Sequence, residues 1–374
     1  MKIVCAPDSF KESLSAVDAA KAMSEGILAM LPDAVVDRCP VGDGGEGSLA
    51  SLFAARPGET VTVSVLDTTG HAIDAVFGMF DDGRLAWVES AAAIGLAAIP
   101  AGQRDIMSAS SFGVGQLLLA AMSRMPARIV VGVGGSATND GGCGMAQALG
   151  VRFYDADGAL IGEPMSGGTL CQVAAIDTDA RIVVPVPVEV ASDVRNPLTG
   201  PDGAACVYGP QKGADPDEVR MLDDGLAWLA DVVRRDLGVD IEALPGAGAA
   251  GGLAAGLVAF AGAHITSGVD AVLDAVGFTE RVSGADLCLT GEGRLDEQSL
   301  SGKTCIGVAA AAAAHGIPVV ALVGSSGPGA DRALRAGISE IVIIGAGRPA
   351  AESIRDARRL LADAAGAVSV RYTR

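Results

Sequence analysis

The chain begins and ends with the same rhythm, and that rhythm restricts its folds more than any other feature. An apolar run of strand length, "KIVCAP", precedes the helical pattern "SAVDAAKAMSEGILAML". Ser15 stands at the N-cap position with Asp18 in the first turn, and Val17, Ala20, Ile27, Leu28 and Leu31 share one face. A second strand, "AVVDRCPV", and a second helix, "EGSLASLFAA", complete a βαβα opening. Near the other end "DLCLTGE", "IPVVALVG" and "EIVIIGAG" are strands, separated by helices around residues 303–315 and 328–336. A last amphipathic pattern, "AAESIRDARRLLADAAG", turns Ile354, Ala357, Leu361 and Ala364 inward. Two early strands and three late ones predict one five-stranded parallel sheet of flavodoxin-like connection.

The middle has another pattern. "ETVTVSVLD", "HAIDAVFGMF" and "RLAWVESA" read as a meander of short strands. After them come the strand "RIVVGVGG", a helix from about Asp140 and the strand "VPVEVASDV". In "DPDEVRMLDDGLAWLADVVRRDLG" Asp215 caps a helix, Pro216 takes its first position, Val219, Leu222, Leu226, Leu229 and Val233 face inward, and Gly238 stops it. At 374 residues two domains are expected. The fold class is therefore α/β in two domains. Residues 1–57 and 267–374 form a discontinuous flavodoxin-like domain, and residues 58–266 form a mixed α/β domain inserted into it. An active-site cleft is expected between them, closed by hinge motion that excludes water from the reaction.

Composition excludes several functions. A net charge of −18 lacks the basic face that nucleic acid requires, while leaving room for a locally positive anion site. The seven cysteines show no CxxC pair and read as buried thiols of a reducing compartment. Only three scattered histidines are present, which disfavours a zinc site or a Ser–His triad. The amino end "MKIVCAPDSFKESLS" does not read as a signal peptide, and glycines or charges interrupt every long apolar run. A cytoplasmic protein without a membrane partner is expected.

Five glycine-rich segments fall where strands should end: "APDSFKESLS", "VGDGGEGS", "VGGSATNDGGCG", "SDVRNPLTGPDG" and "TGEGRLDEQSLSGKT". Glycine lets backbone N–H groups approach an anion, and ligands of open α/β sheets bind beyond strand carboxyl ends. Two of these segments resemble cofactor motifs. Gly132 to Ala137 satisfies G-x-G-x-x-A, with Asp155 suitably downstream, as a dinucleotide fold requires. Yet Asn139, Asp140, Gly141 and Gly142 interrupt where its helix should begin. The last segment ends in Gly302-Lys303-Thr304, the tail of a Walker loop, but Glu297 occupies the position of that loop's first glycine. Its strand, read as ending near Thr290, also stops too early for Walker geometry. Glu292, Arg294, Asp296, Lys303 and Thr304 still concentrate both charge signs, the mixture that phosphoryl transfer requires. Surface charges pairing with one another would give the same composition.

"APDSFKESLSA", "GDGGEG", "GGSATNDGGCGMAQALG", "SDVRNPLTGPDGAACVYGPQKGA", "PGAGAAGGL" and "TGEGRLDEQSLSGK" together resemble, in order, the bacterial glycerate kinases of type 1. The likeness runs from residue 4 to about 305. It implies ATP-dependent phosphorylation of D-glycerate, with Mg²⁺ as for kinases generally, and favours 2-phosphoglycerate as the product. Two other readings stay open: an NAD(P)-dependent oxidoreductase on a small hydroxy acid, and a non-catalytic small-acid-binding protein. Whether the chain forms a homo-oligomer is left open as well.

Candidate roles follow, each with a plainer alternative. Lys11 is placed on the substrate carboxylate or a phosphate, with Asp8 and Ser9 on nearby hydroxyls, although both also cap turns. Asp193 is the candidate base for the attacking hydroxyl, positioned by Asn196, or else an Asx-turn carboxylate before Pro197. Ser136 and Asn139 are assigned to substrate, and Gly134, Gly135 and Thr138 to phosphate, on a polar shelf. Lys212 is placed on nucleotide phosphate, or on the surface. Gly291, Gly293 and Lys303 are assigned to phosphate, Arg294 to charge developing on the phosphoryl group, and Asp43, Glu292 and Asp296 to metal.

Overall fold

The structure, a computed structural model, describes residues 1–162, 164–297, 299 and 303–373. Strands β1 (Lys2–Pro7) and β2 (Val35–Arg38) open the chain. Eight follow in the middle: β3 (Glu59–Leu66), β4 (Ala72–Phe80), β5 (Leu85–Glu89), β6 (Arg128–Gly132), β7 (Arg152–Tyr154), β8 (Ala175–Asp177), β9 (Val188–Ala191) and β10 (His264–Thr266). Three close it: β11 (Leu287–Leu295), β12 (Val319–Ser326) and β13 (Glu340–Ile343). The chain divides into two compact units, Met1–Pro57 with Ser267–Arg374, and Gly58–Thr266.

In the first unit the strands lie in the order β13-β12-β11-β1-β2, and every pair is parallel. Counted within the unit this is 2-1-3-4-5, the flavodoxin-like order that the sequence rhythm predicts. β1 and β11 occupy its centre, and the stretches buried there, residues 3–6 and 287–289, are accordingly continuous apolar runs. Ile3, Cys5, Met23, Ile27, Leu289, Leu322 and Leu361 share one core.

Two helical details differ from expectation. In Ala16–Met30, capped by Ser15 as expected, the buried residues are Ala16, Ala19, Ala20, Ala22, Met23 and Ile27, while Leu28 faces solvent. The terminal pattern is two helices, Ala350–Arg355 and Ala357–Arg371, broken at Asp356. The break resets the helical phase, so Ile354 turns outward while Leu360, Leu361 and Val368 are buried.

The second unit holds a mixed six-stranded sheet, β10-β9-β6-β5-β4-β3. β3, β4 and β5 form the antiparallel meander, and β5, β6, β9 and β10 pair in parallel. β7 and β8 make a separate antiparallel pair. Its longest helix, Pro216–Leu237, has Asp215 and Glu218 in a reciprocal capping box and Gly238 in the left-handed conformation at its end. Among the described residues no helix is long and apolar enough to cross a membrane.

Candidate active site

In the first unit, register decides which polar residues meet. Pro7, the last residue of β1, pairs with Gly291 of β11, so the segment leaving β1 starts beside the later part of β11. The N–H of Asp8 donates to the Gly291 carbonyl at 2.9 Å. Its carboxylate accepts from the Ser9 N–H and from the Thr304 hydroxyl, each at 2.5 Å. Burial first, and then the carboxylate of Asp43, holds Asp8 above the usual aspartate range despite these donors. Asp43 itself is exposed and accepts the Gly45 N–H at 3.0 Å.

Glu292 is half-buried on β11, and its Oε1 has no hydrogen-bond partner among the described residues. Burial pushes its carboxyl to about 7; Asp8 adds to the rise, and Ser299 and Lys303 oppose it. Lys303 is half-buried at the N-cap of the helix Thr304–Ala313. Lys11 is exposed in a tight turn that a Phe10–Leu14 bridge closes. Asp8, Asp43, Glu292, Lys303 and Thr304 thus act on one another within this unit.

The sequence reading of this segment changes here. β11 does not stop near Thr290 but runs to Leu295, pairing with β12 through Arg294 with Ser325 and Leu295 with Ser326. Glu292, Gly293 and Arg294 therefore lie on a strand rather than in a loop. The longer strand removes the spacing argument against a Walker loop, and Glu297 in place of its first glycine is what distinguishes the segment; Gly302 lies outside the described residues. Gly291 has a packing reason to be glycine, since a Cβ there would meet the Leu322 carbonyl oxygen at 2.2 Å. Arg294, exposed, donates to Asp296 Oδ2 at 3.1 Å, so these two charges do pair with one another.

In the second unit the loop after β6 runs through residues 133–142 before the short helix Cys143–Ala148. Gly141 and Gly142 have φ of 61° and 77°, a conformation that bars an immediate helix start and with it the dinucleotide geometry. Asp155 instead accepts the N–H groups of Asp157 and Ala159 in a turn. The glycine turn folds backbone donors onto Asp140. That carboxylate, fully buried, accepts from Ser111 N–H (2.8 Å), Ser111 Oγ (2.7 Å), Gly142 N–H (3.0 Å) and Gly144 N–H (3.2 Å). Burial still lifts it above the usual range.

The polar shelf is closed: Ser136, Thr138 and Asn139 are all buried, and of its residues only Gly134 and Gly135 reach solvent. Thr138 Oγ1 and both polar atoms of the Asn139 side chain lack hydrogen-bond partners among the described residues. Lys212 does not lie on the surface. It is 3% exposed, and its Nζ donates to Ser136 Oγ at 3.2 Å and to the Thr138 carbonyl at 2.7 Å. Desolvation lowers its pKa to about 7, with Asp140 working in the opposite sense. The pairing of Asp140 with Ser111 went unanticipated, because nothing in "SASSFG" marks Ser111 as its partner.

Past β9, Asp193 is half-buried. Asn196 accepts from the Tyr208 hydroxyl at 2.7 Å and donates to the Asp202 carbonyl at 2.8 Å, which fixes the turn that follows Asp193. No group of three or more His, Cys, Asp or Glu side chains among the described residues is placed to hold a metal ion by itself.

A flavodoxin-order sheet, with carboxylates, hydroxyls and lysines near the ends of its central strands, defines a doubly wound α/β protein. The model of the Glycerate kinase family matches residues 3–373. The chain is 46% identical to a glycerate kinase of Halalkalibacterium halodurans, over 90% of this chain and 88% of that one. It is 44% identical to the glycerate 2-kinase of Escherichia coli, over 87% and 85%. A Salmonella typhimurium crystal structure, assigned as a glycerate kinase 2, superposes with a TM-score of 0.85 at 40% identity, covering 99% of this chain and 98% of that one. The chain belongs to the glycerate kinase family.

Proposed function

We propose that this protein transfers the γ-phosphoryl group of ATP to the 2-hydroxyl of D-glycerate. The family match over residues 3–373 carries this reading, and the relative named glycerate 2-kinase supports the position. In the transfer the substrate oxygen bonds to the γ-phosphorus, the bond to the β-phosphate oxygen breaks, and the hydroxyl proton passes to a base. Asp193 is that base, held by the turn that Asn196 fixes. Arg294 and Lys303 balance charge on the phosphoryl group, and Lys11 and Ser9 contact the anionic ligands.

The carboxylates of the first unit fit a divalent cation, because the Asp43 charge raises Asp8 and Glu292 Oε1 has no hydrogen-bond partner among the described residues. One or two carboxylates suffice, since phosphates and water complete a Mg²⁺ shell. Asp43 and Glu292 would hold it, with Asp296 nearby in sequence but paired to Arg294. When bound, Mg²⁺ would neutralise phosphate charge. Seven free cysteines support a reducing, cytoplasmic setting.

The test is an enolase-coupled assay with D-glycerate and Mg·ATP, without phosphoglycerate mutase. Immediate phosphoenolpyruvate is expected. A signal that waits for mutase would move the product to 3-phosphoglycerate, and none in either case would overturn the reading.

A further inference from the structure

Lys212 and Ser136 were assigned from sequence to different ligands, and the structure joins them at 3.2 Å. That contact places both in one buried site, and the surroundings bear on what it would hold. Among the described residues the ammonium of Lys212 hydrogen-bonds only to neutral oxygens, those of Ser136 and Thr138. Asp140, the acid that acts on it, spends its carboxylate on Ser111, Gly142 and Gly144 instead. A buried ammonium without a bonded counter-ion is costly unless an anion completes it. One of its three donors is unspent. Beside it in sequence, Thr138 Oγ1 and the Asn139 amide are buried polar atoms without partners among the described residues. Such atoms are rare in folded proteins and point to a missing group.

One ammonium matches one negative charge. A Mg²⁺-bound triphosphate is larger and multiply charged, and a single buried lysine beside an aspartate suits it poorly. A carboxylate flanked by hydroxyls suits the donors and acceptors present. We propose that Lys212, with Ser136, Thr138 and Asn139, is the socket for the carboxylate of the hydroxy-acid substrate, and that it selects the acid over a neutral polyol. This rests on the glycerate reading above. Entry is by the Gly134–Gly135 turn, where the loop reaches solvent.

The pairing has a proton signature. With its pKa lowered to about 7, Lys212 is mostly neutral at pH 8 and charged at pH 6. A bound carboxylate raises its proton affinity, so binding draws in a proton at pH 8 and hardly any at pH 6. The charged groups on the neighbouring segments are Asp140, Arg104 (which donates to the Gln211 carbonyl at 2.7 Å) and Asp215, the cap of the next helix.

The experiment is calorimetric titration of the whole protein with D-glycerate, and separately with ADP, in buffers of different ionisation enthalpy. The unmodified protein should take up most of a proton with glycerate at pH 8. Lys212→Met should abolish that uptake and weaken glycerate about a hundredfold, the loss of a charged hydrogen bond, while ADP changes less than twofold. Lys212→Arg should bind without proton uptake, since arginine stays charged. Glycerol should not bind. If Lys212→Met does not fold, Thr138→Val, close in shape, should still weaken glycerate severalfold and spare ADP. Loss of ADP with glycerate retained would make the lysine a phosphate ligand, and loss of neither would make it a structural residue; either overturns the proposal alone. Failure of the unmodified protein to bind glycerate would overturn both it and the functional reading.

Discussion

The glycine-rich segments of the first unit and the loop beyond β6 are alike in composition and opposite in electrostatics. In the first unit Asp8, Asp43 and Glu292 crowd together, and burial with mutual repulsion raises Asp8 and Glu292 above their usual ranges. In the second, Asp140 is matched by four donors, and it is the charge of Lys212 that has no hydrogen-bonded counter-ion among the described residues. Negative charge accumulated in one place suits a cation, and uncompensated positive charge suits an anion. Glycine content predicts neither; what differs is where backbone donors point. β1 and β11 lie side by side, which brings carboxylates together, whereas Gly141 and Gly142 fold N–H groups back onto a single one.

The strongest way to break the comparison is to show that neither kind of site matters to turnover. Asp193→Asn should lower kcat by about 10²–10⁴-fold, the usual worth of a positioned base, with the melting temperature nearly unchanged. A kcat within threefold of the unmodified enzyme would remove Asp193 as the base. Arg294→Ala should cost about a hundredfold or more in turnover, as loss of a donor to developing charge does. Its ion pair among the described residues is with Asp296, at an arginine side chain 62% exposed, and such a pair contributes at most about 1 kcal/mol to stability. Full activity in this variant would mean that Arg294 and Asp296 merely pair on the surface.

Asp140→Ala tests the opposite character of the second unit. It strips four donors of their acceptor in a buried place, and should cost about 3 kcal/mol or more. Differential scanning calorimetry should show the loss in the transition of residues 58–266. A variant that melts like the parent would mean that the loop is not built around this carboxylate.

The sheet order of the first unit was legible because alternating strands and helices leave few right-handed, uncrossed connections. Local capping was legible for the same helix that begins at Pro216, since a capping box is a short-range pattern. What escaped was long-range. "GEGR" has the composition of a loop, and it is a strand only because β12 offers it a ladder on one side. "GPQKGA" reads as a turn, and the burial of Lys212 depends on Ser136, 76 residues away. The role of Asp140 likewise depends on Ser111, 29 residues earlier. Ile354 was misplaced because a helix break resets phase, and Asp356 carries no breaker signature of the glycine or proline kind.

The smallest effect is also the most specific to the first unit. Glu292 has its proton affinity raised in the folded state, from the ordinary value of 4.5 to about 7. Between those values the folded protein holds a proton that the unfolded chain has released. Stability therefore falls as pH rises through that window, by at most about 3 kcal/mol at 1.36 kcal/mol per pH unit, and the full penalty remains above it. Glu292→Gln is neutral throughout and also relieves Asp8 of a neighbour. Without Mg²⁺ or nucleotide, the variant and the parent should melt together near pH 4.5, and the variant a few degrees higher at pH 8. Adding Mg²⁺ with ATP should close that gap, because a cation at the carboxylate favours its charged form and stabilises only the parent. Melting curves that stay parallel across pH would show that Glu292 is not under this strain. A gap that persists with Mg·ATP would show that the strain is real and that the metal is held elsewhere.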